Sequence, residues 1–302
     1  MACQTYVRAS RMALAKPHLS KTPAIPERLK KTLFQQVQNL SDPLAYDDPL
    51  YLAVEQFFKP RKSEPTTRDI DFLSKGQNLA LKCGLAATAW GDGPPVLLAH
   101  GWESRRSHWS AIVPILAESG YRVIAMDAPA HGDSPGDQVS VVQYALSINN
   151  IGRELGHLEA IIGHSFGGAA ATIACRNGLM THCAILISAP SSISTLCINW
   201  AIKYGVSPSD IPKFLDLVSQ KVGVHVDQMD ISLVASELSH PALVIHDKGD
   251  DEIPLSEGLA IAAAWKDSKL FVTERYGHRR ILIAKDVIRE SIQFMNQCKS
   301  LN

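Results

Sequence analysis

The chain has 302 residues, enough for one large α/β domain with an appended segment or for two ordinary domains, and either buries a sizeable core. Thirty basic and thirty acidic residues cancel, and no basic block or stripe occurs. That balance points away from nucleic acid or an anionic membrane as partner and toward a small-molecule substrate.

The first residues, "MACQTYVRASRMALAKPHLSK", lack the continuous apolar core of a secretory signal. Nor does any run reach the roughly 18 apolar residues a membrane span needs, so the expectation is a soluble cytoplasmic protein without membrane insertion. An organelle-targeting use of the basic start stays open. The six cysteines, Cys3, Cys83, Cys175, Cys183, Cys197 and Cys298, are far apart and without metal-finger spacing. Reduced, mostly buried thiols are expected.

Residues 1–75 read as a helical extension and linker. "PERLKKTLFQQVQNL" places Leu29, Leu33, Phe34, Val37 and Leu40 on one helical face, and "PLYLAVEQFF" can form a second short helix before the polar, proline-bearing "KPRKSEPTTRD". The remaining residues, 76–302, change texture. "QNLALKC" and "LAATAWG" suggest a starting hairpin; "PVLLAHG", "YRVIAMD", "LEAIIG", "HCAILIS", "ALVIHD" and "KLFVTE" are short apolar runs suited to buried parallel strands. Helical stretches are expected around 107–118, 138–154, 166–177, 256–265 and 280–297. The alternation predicts a mostly parallel, doubly wound sheet with helices on both faces.

About fifty residues separate "HCAILISAP" from "PALVIHD", where one crossover helix would suffice. Ile193, Leu196, Cys197, Trp200, Ala201 and Tyr204 follow helical spacing, and Ser207-Pro208 with Asp210 makes a helix start before Ile211, Phe214, Leu215 and Val218. This predicts a helical cap insertion at about 190–240. Trp200 and Tyr204 are its candidate substrate-binding residues, although internal packing accounts for most of the stripe.

In open α/β sheets, ligands sit at the carboxyl ends of the strands, so polar residues directly after each apolar run are the candidates for chemistry. They are "HGW" (His100–Trp102), "DAPAHGDS" (Asp127–Ser134), "GHSFGG", "DKGDDEIP" (Asp247–Pro254) and "YGHRRIL" with His278. In G-x-S-x-G, Gly163 and Gly167 let a strand turn abruptly into a helix while Ser165 projects outward. The competing reading of Ser165 is a simple helix N-cap, and that of an isolated histidine is a structural role. No H-E-x-x-H, P-loop or G-x-G-x-x-G follows a strand, so neither a metal nor an organic cofactor is expected.

Taken together, the five motifs resemble the α/β-hydrolase family, here a bacterial-type serine hydrolase with a helical cap and an N-terminal extension. The likeness covers roughly residues 77–298. It implies the chain order nucleophile, acid, histidine, met by Ser165, Asp250 and His278. Three aspartates crowd the acid loop; in resembling sequences the acid lies four residues after the position of His246 and four before the proline, which selects Asp250. Asp247 and Asp251 are then solvated or loop-capping. The resemblance further implies an oxyanion hole from the backbone N–H groups of Trp102 and Phe166, with Trp102 also a substrate contact. It gives His100, His131, His164 and Asp127 loop-shaping roles, and it often has glycine where Ala130 stands.

The function so implied is cleavage of a carboxylic ester or thioester of a small, largely apolar molecule through an acyl-serine intermediate. A carbon–carbon bond hydrolase with the same triad, a ligand-binding receptor-like member with slow or no turnover, and an interaction protein built on the N-terminal helices are the alternatives. Whether the chain is a monomer or a homodimer is open from sequence.

Overall fold

Apolar runs without polar alternation suit strands covered on both faces. The computed structural model, which describes residues 48–299, assembles them into one eight-stranded sheet. Its strands are β1 (Gln77–Asn78), β2 (Ala87–Trp90), β3 (Pro95–Ala99), β4 (Arg122–Met126), β5 (Leu158–His164), β6 (Thr181–Ile187), β7 (Ala242–Asp247) and β8 (Ser268–Thr273). The spatial order is β1-β2-β4-β3-β5-β6-β7-β8; β2 pairs antiparallel with β1 and β4, and all pairs from β4 to β8 are parallel. From β3 the chain moves outward to β4 and then returns to β5 on the other side. That reversal opens a crevice at the carboxyl ends of β3 and β5, the usual place for a ligand in such a sheet.

Period-two alternation sends each strand's side chains to two separate cores. Val96, Leu98, Val123, Ala160 and Ile162 pack with Ile112, Val113 and Leu116 of α3 (Ile112–Glu118) and with Val287, Ile288, Phe294 and Met295 of α11 (Lys285–Lys299). On the opposite face, Leu97, Ala99, Ile124, Ile161 and Leu186 meet α4 (Val141–Leu155), α5 (Phe166–Arg176) and α9 (Leu255–Ala264). Helix α4 begins at a reciprocal capping box between Ser140 and Gln143.

Between β6 and β7 lie α6 (Ile193–Lys203), α7 (Ile211–Val222) and α8 (Ile231–Ser236), with 3-10 turns at Pro208–Asp210 and Val226–Met229. Only the first two helices show apolar periodicity in the sequence; a six-residue helix spans too few turns to display one. Ser191 staples the two ends of this insertion. Its carbonyl accepts from the N–H of Ile231 (2.8 Å) and Ser232 (3.2 Å), and its own N–H and Oγ donate to Glu257 (2.6 and 2.7 Å).

Ahead of the sheet are α1 (Pro49–Phe57), capped by Asp48, and α2 (Thr67–Ser74). The start of α2 falls within the stretch expected to be linker. The signal for it was Thr66 with Asp69, which form a capping box in which each side chain bonds the other's backbone N–H. The starting hairpin is shorter than expected: Gln77 and Asn78 pair with β2, the Leu79 N–H adds a last bond to Ala87 O (2.9 Å), and the amide of Lys82 turns to the Glu154 carboxylate instead. The last helical stretch is divided into α10 (Gly277–Arg280), a 3-10 turn at Ile281–Ile283, and α11. The expected helix over 26–40 and Cys3 lie outside the described residues. Among the described residues the five cysteines are unbridged, and no helix is long and apolar enough to cross a membrane.

Candidate active site

Strand β5 ends at His164, and α5 begins at Phe166, so Ser165 must carry the whole change of direction. It does so at φ +52° and ψ −121°, a region L-residues rarely occupy and one that costs roughly 1–3 kcal/mol. The neighbouring glycines make the turn possible. A Cβ on Gly163 would lie 2.6 Å from the Gly167 carbonyl oxygen, and one on Gly167 would lie 2.2 Å from that of Ala99. The Ser165 hydroxyl makes no capping bond to α5. It faces His278, whose Nε2 is 3.0 Å from Ser165 Oγ.

The other ring nitrogen, His278 Nδ1, lies 2.8 Å from Asp250 Oδ2. Since a carboxylate only accepts, Nδ1 carries the proton and Nε2 is left as acceptor for the serine hydroxyl. Asp250 is fixed from behind, its Oδ1 accepting from the N–H groups of Glu252 (3.1 Å) and Ile253 (2.8 Å). Burial works to raise its pKa, but the hydrogen bonds from His278 and Ile253 outweigh that and hold the carboxyl below its usual range. Asp251 is exposed.

Of the two expectations for Asp247, solvated or loop-capping, the structure shows the second: it is fully buried and caps two loops. Its Oδ2 accepts from Thr273 Oγ1 (2.6 Å) and from the N–H of Arg275 (2.9 Å) and Tyr276 (3.0 Å), and its Oδ1 from Gly249 (2.9 Å) and Gly277 (3.0 Å). Burial opposes ionisation, yet these bonds prevail and bring its pKa to about 2. One carboxylate therefore ties the loop of Asp250 to the loop of His278.

The remaining histidines near the serine are neutral spacers. His100 donates from Nδ1 to Gly101 O (2.7 Å) and accepts the Ala128 N–H at Nε2 (3.0 Å). His131 donates to Pro129 O (3.0 Å) and accepts the Glu103 N–H (3.1 Å). His164 donates from Nε2 to the His278 carbonyl (2.8 Å), and burial pushes its pKa down to about 3. Asp127, also fully buried, accepts from the N–H of Arg106 (2.6 Å) and Asp133 (2.9 Å) and from the Arg106 guanidinium, shaping the loop that follows β4. In that loop Ala130 has φ +64°, which explains why glycine suits the position.

The loop after β3 lies against the serine: a Cβ on Gly101 would be 3.1 Å from Ser165 Cβ. Trp102 follows, its ring edge-on to Phe166 (5.2 Å) and to His131 (5.2 Å), with Phe166 leaning on Tyr144 (5.7 Å). The Phe166 amide is the first of α5, a position with no acceptor inside its own helix and at the positive end of the helix dipole. The residue after the serine thus offers a backbone donor with no partner in its own helix. Of the two expected substrate contacts on the insertion, Trp200 stacks on Tyr204 (4.2 Å) and Phe214 (5.9 Å) and meets Phe57 edge-on (5.3 Å), while Tyr204 is 55% exposed.

One polar residue after an apolar run escaped the sequence reading. Ser188 directly follows β6 at φ +50°, fully buried and beside Asp250. Its place directly after "HCAILI" was the available signal.

Residues 96–286 match the sequence pattern described as "Alpha/beta hydrolase family". A human protein named "Serine hydrolase-like protein" is 40% identical over 91 residues, covering 28% of this chain and 44% of that protein. The chain therefore spans less than half the length of that curated relative. Among solved structures, an esterase from Pyrococcus furiosus superposes with a TM-score of 0.60 at 18% identity, covering 79% of this chain and 98% of the esterase. A meta-cleavage product hydrolase from Pseudomonas fluorescens IP01 superposes with a TM-score of 0.56 at 20% identity, covering 74% of this chain and 99% of that one. At these identities the structural likeness shows the fold.

Proposed function

Since the chain belongs to the alpha/beta hydrolase family, we propose that it is a serine hydrolase that cleaves a carboxylic ester or thioester of a small, largely apolar molecule. The observation that carries this reading is the hydrogen-bonded run from Ser165 Oγ to His278 Nε2 and from His278 Nδ1 to Asp250. A serine hydroxyl is a weak nucleophile at neutral pH and needs a base within hydrogen-bond reach. His278 takes the proton as Ser165 Oγ attacks the carbonyl carbon, and Asp250 stabilises the imidazolium that forms. The carbonyl oxygen becomes an oxyanion, met by the N–H groups of Phe166 and Trp102. His278 then returns the proton to the departing alcohol or thiol. Water, deprotonated by the same imidazole, attacks the acyl-serine; as the acyl–Oγ bond breaks, His278 returns that proton to Ser165 Oγ and the acid leaves. Every proton in this scheme moves between Ser165, His278, water and the leaving group.

The half-buried rings of Trp102 and Phe166 on either side of the Gly101–Ser165 contact support an apolar substrate. In this reading the insertion carrying α6, α7 and α8 serves as a cap, and the unbridged thiols fit a reducing compartment such as the cytoplasm. The test is turnover of p-nitrophenyl esters of increasing acyl length. Wild type should turn over, with Ser165→Ala slower in kcat by roughly 10⁴–10⁶-fold. Equal turnover by the alanine variant would remove Ser165 from the mechanism. A folded wild type that cleaves no ester of the series would end the hydrolase reading.

A further inference from the structure

The segment joining α1 to α2 crosses the front of the loop that carries Trp102, and nothing in the scheme above uses it. It is pinned along its length. Phe58 O accepts the Val139 N–H (2.9 Å), Lys62 Nζ donates to Ser134 O (2.8 Å), and Arg105 Nη1 donates to Ser63 O (3.3 Å). Between these anchors sits Arg61. Its backbone N–H reaches Glu103 Oε1 at 3.1 Å, its Nε lies 3.0 and 3.1 Å from the two carboxylate oxygens, and its Nη2 donates to Oε2 at 2.7 Å. The fork and the amide together enclose one carboxylate.

Glu103 directly follows Trp102, and its backbone is unusual. The Ser104 N–H bonds to Gly101 O (3.3 Å), closing a turn in which Glu103 occupies the third position at φ +51°. A turn with positive φ there favours glycine, and an L-residue resists it. Two ties oppose that resistance. The Glu103 N–H is taken by His131 Nε2, and its side chain is taken by Arg61. Arg61 itself is largely exposed. An exposed ion pair adds only about 0–1 kcal/mol to stability, so global stability is not what this clamp serves. Its effect falls on the conformation of one turn, and that turn starts at Gly101, which packs against Ser165, and carries the Trp102 peptide next to it in the chain.

Building on the hydrolase reading, we infer that Arg61 is a positioning residue: through Glu103 it holds the Trp102 amide where the oxyanion forms. The strap before the sheet is then part of the catalytic unit. A donor displaced by a fraction of an ångström keeps much of its value, so the expected loss is about tenfold, less than the 10²–10³-fold loss of a whole donor.

The test uses the full chain. Arg61→Ala should lower kcat on a p-nitrophenyl ester about tenfold with KM changed less than twofold, and Arg61→Lys should recover part of the loss. Since Arg61 acts through Glu103, the double variant Arg61→Ala/Glu103→Ala should be no slower than Glu103→Ala alone. Hydrogen exchange gives a second readout independent of turnover: the amides of residues 102–104 should exchange faster in Arg61→Ala, with the rest of the sheet unchanged. Wild-type kcat together with wild-type exchange in Arg61→Ala would overturn the inference. If wild type itself hydrolyses no ester, the proposed function falls, and unchanged exchange at 102–104 would sink the clamp separately.

Discussion

Ser165 sits in a conformation its own side chain disfavours, and the surrounding glycines show how tightly the site is built to hold it. Gly167 has a backbone oxygen 2.2 Å from where a Cβ would stand. Gly167→Ala should therefore cost at least about 2 kcal/mol, because strand and helix must separate to accommodate one methyl group. Urea denaturation checks this; a loss under half that figure would mean that the elbow is looser than its geometry. Such sterics act within a few residues, which is why G-x-S-x-G was legible in the sequence. Asp247 was legible only as solvated or loop-capping. Its partners Thr273, at the end of β8, and Arg275, Tyr276 and Gly277, in the loop that follows, are remote in the chain, so in sequence it is one of three neighbouring aspartates. Glu103 was hidden for the same reason, its guanidinium partner lying 42 residues earlier.

At the scale of elements, the strands were legible because a strand buried on both faces needs an unbroken apolar run, and the chain has six. The helices of the β6–β7 insertion showed their apolar stripes but not what the stripes face. Part of the answer is α1. Phe57 meets Phe214 edge-on (5.9 Å) as well as Trp200, Lys221 pairs with Glu55, and Lys213 pairs with Asp48 (3.4 Å). Phe214 is fully buried at the centre of these contacts. Phe214→Ala should cost about 3–5 kcal/mol, the range for emptying a buried aromatic site, with the unfolding midpoint as the readout. A loss below 1 kcal/mol would show that α1 and α7 do not share a core. The sequence predicted each helix from its own periodicity, whereas pairing between α1 and α7 depends on shape across more than 150 residues and leaves no local trace.

Across the whole molecule, a chain with balanced charge carries an unbalanced set of histidines. Burial lowers the pKa of His100, His108, His131, His164, His240 and His246, to about 3 for His164. In the unfolded chain each titrates near 6.5. Below that pH the unfolded state binds protons that the fold refuses, so stability is complete above about pH 6.5 and is lost as the pH falls toward the folded values. The urea midpoint should be lower at pH 5 than at pH 7.5; equal midpoints would contradict the neutral, buried assignments. Of these, His164 adjoins Ser165 in the chain and His100 and His131 hold the loops around it, while His278 is the ring whose Nε2 meets the serine hydroxyl.

That contact is the centre of the account, and covalent labelling tests it most directly. The full chain is treated with a fluorophosphonate, weighed intact and digested for peptide mapping. The account predicts one phosphonyl group per chain, on Ser165, and no adduct in Ser165→Ala. A folded wild-type protein that stays unlabelled, or an adduct mapping to another residue, would contradict it.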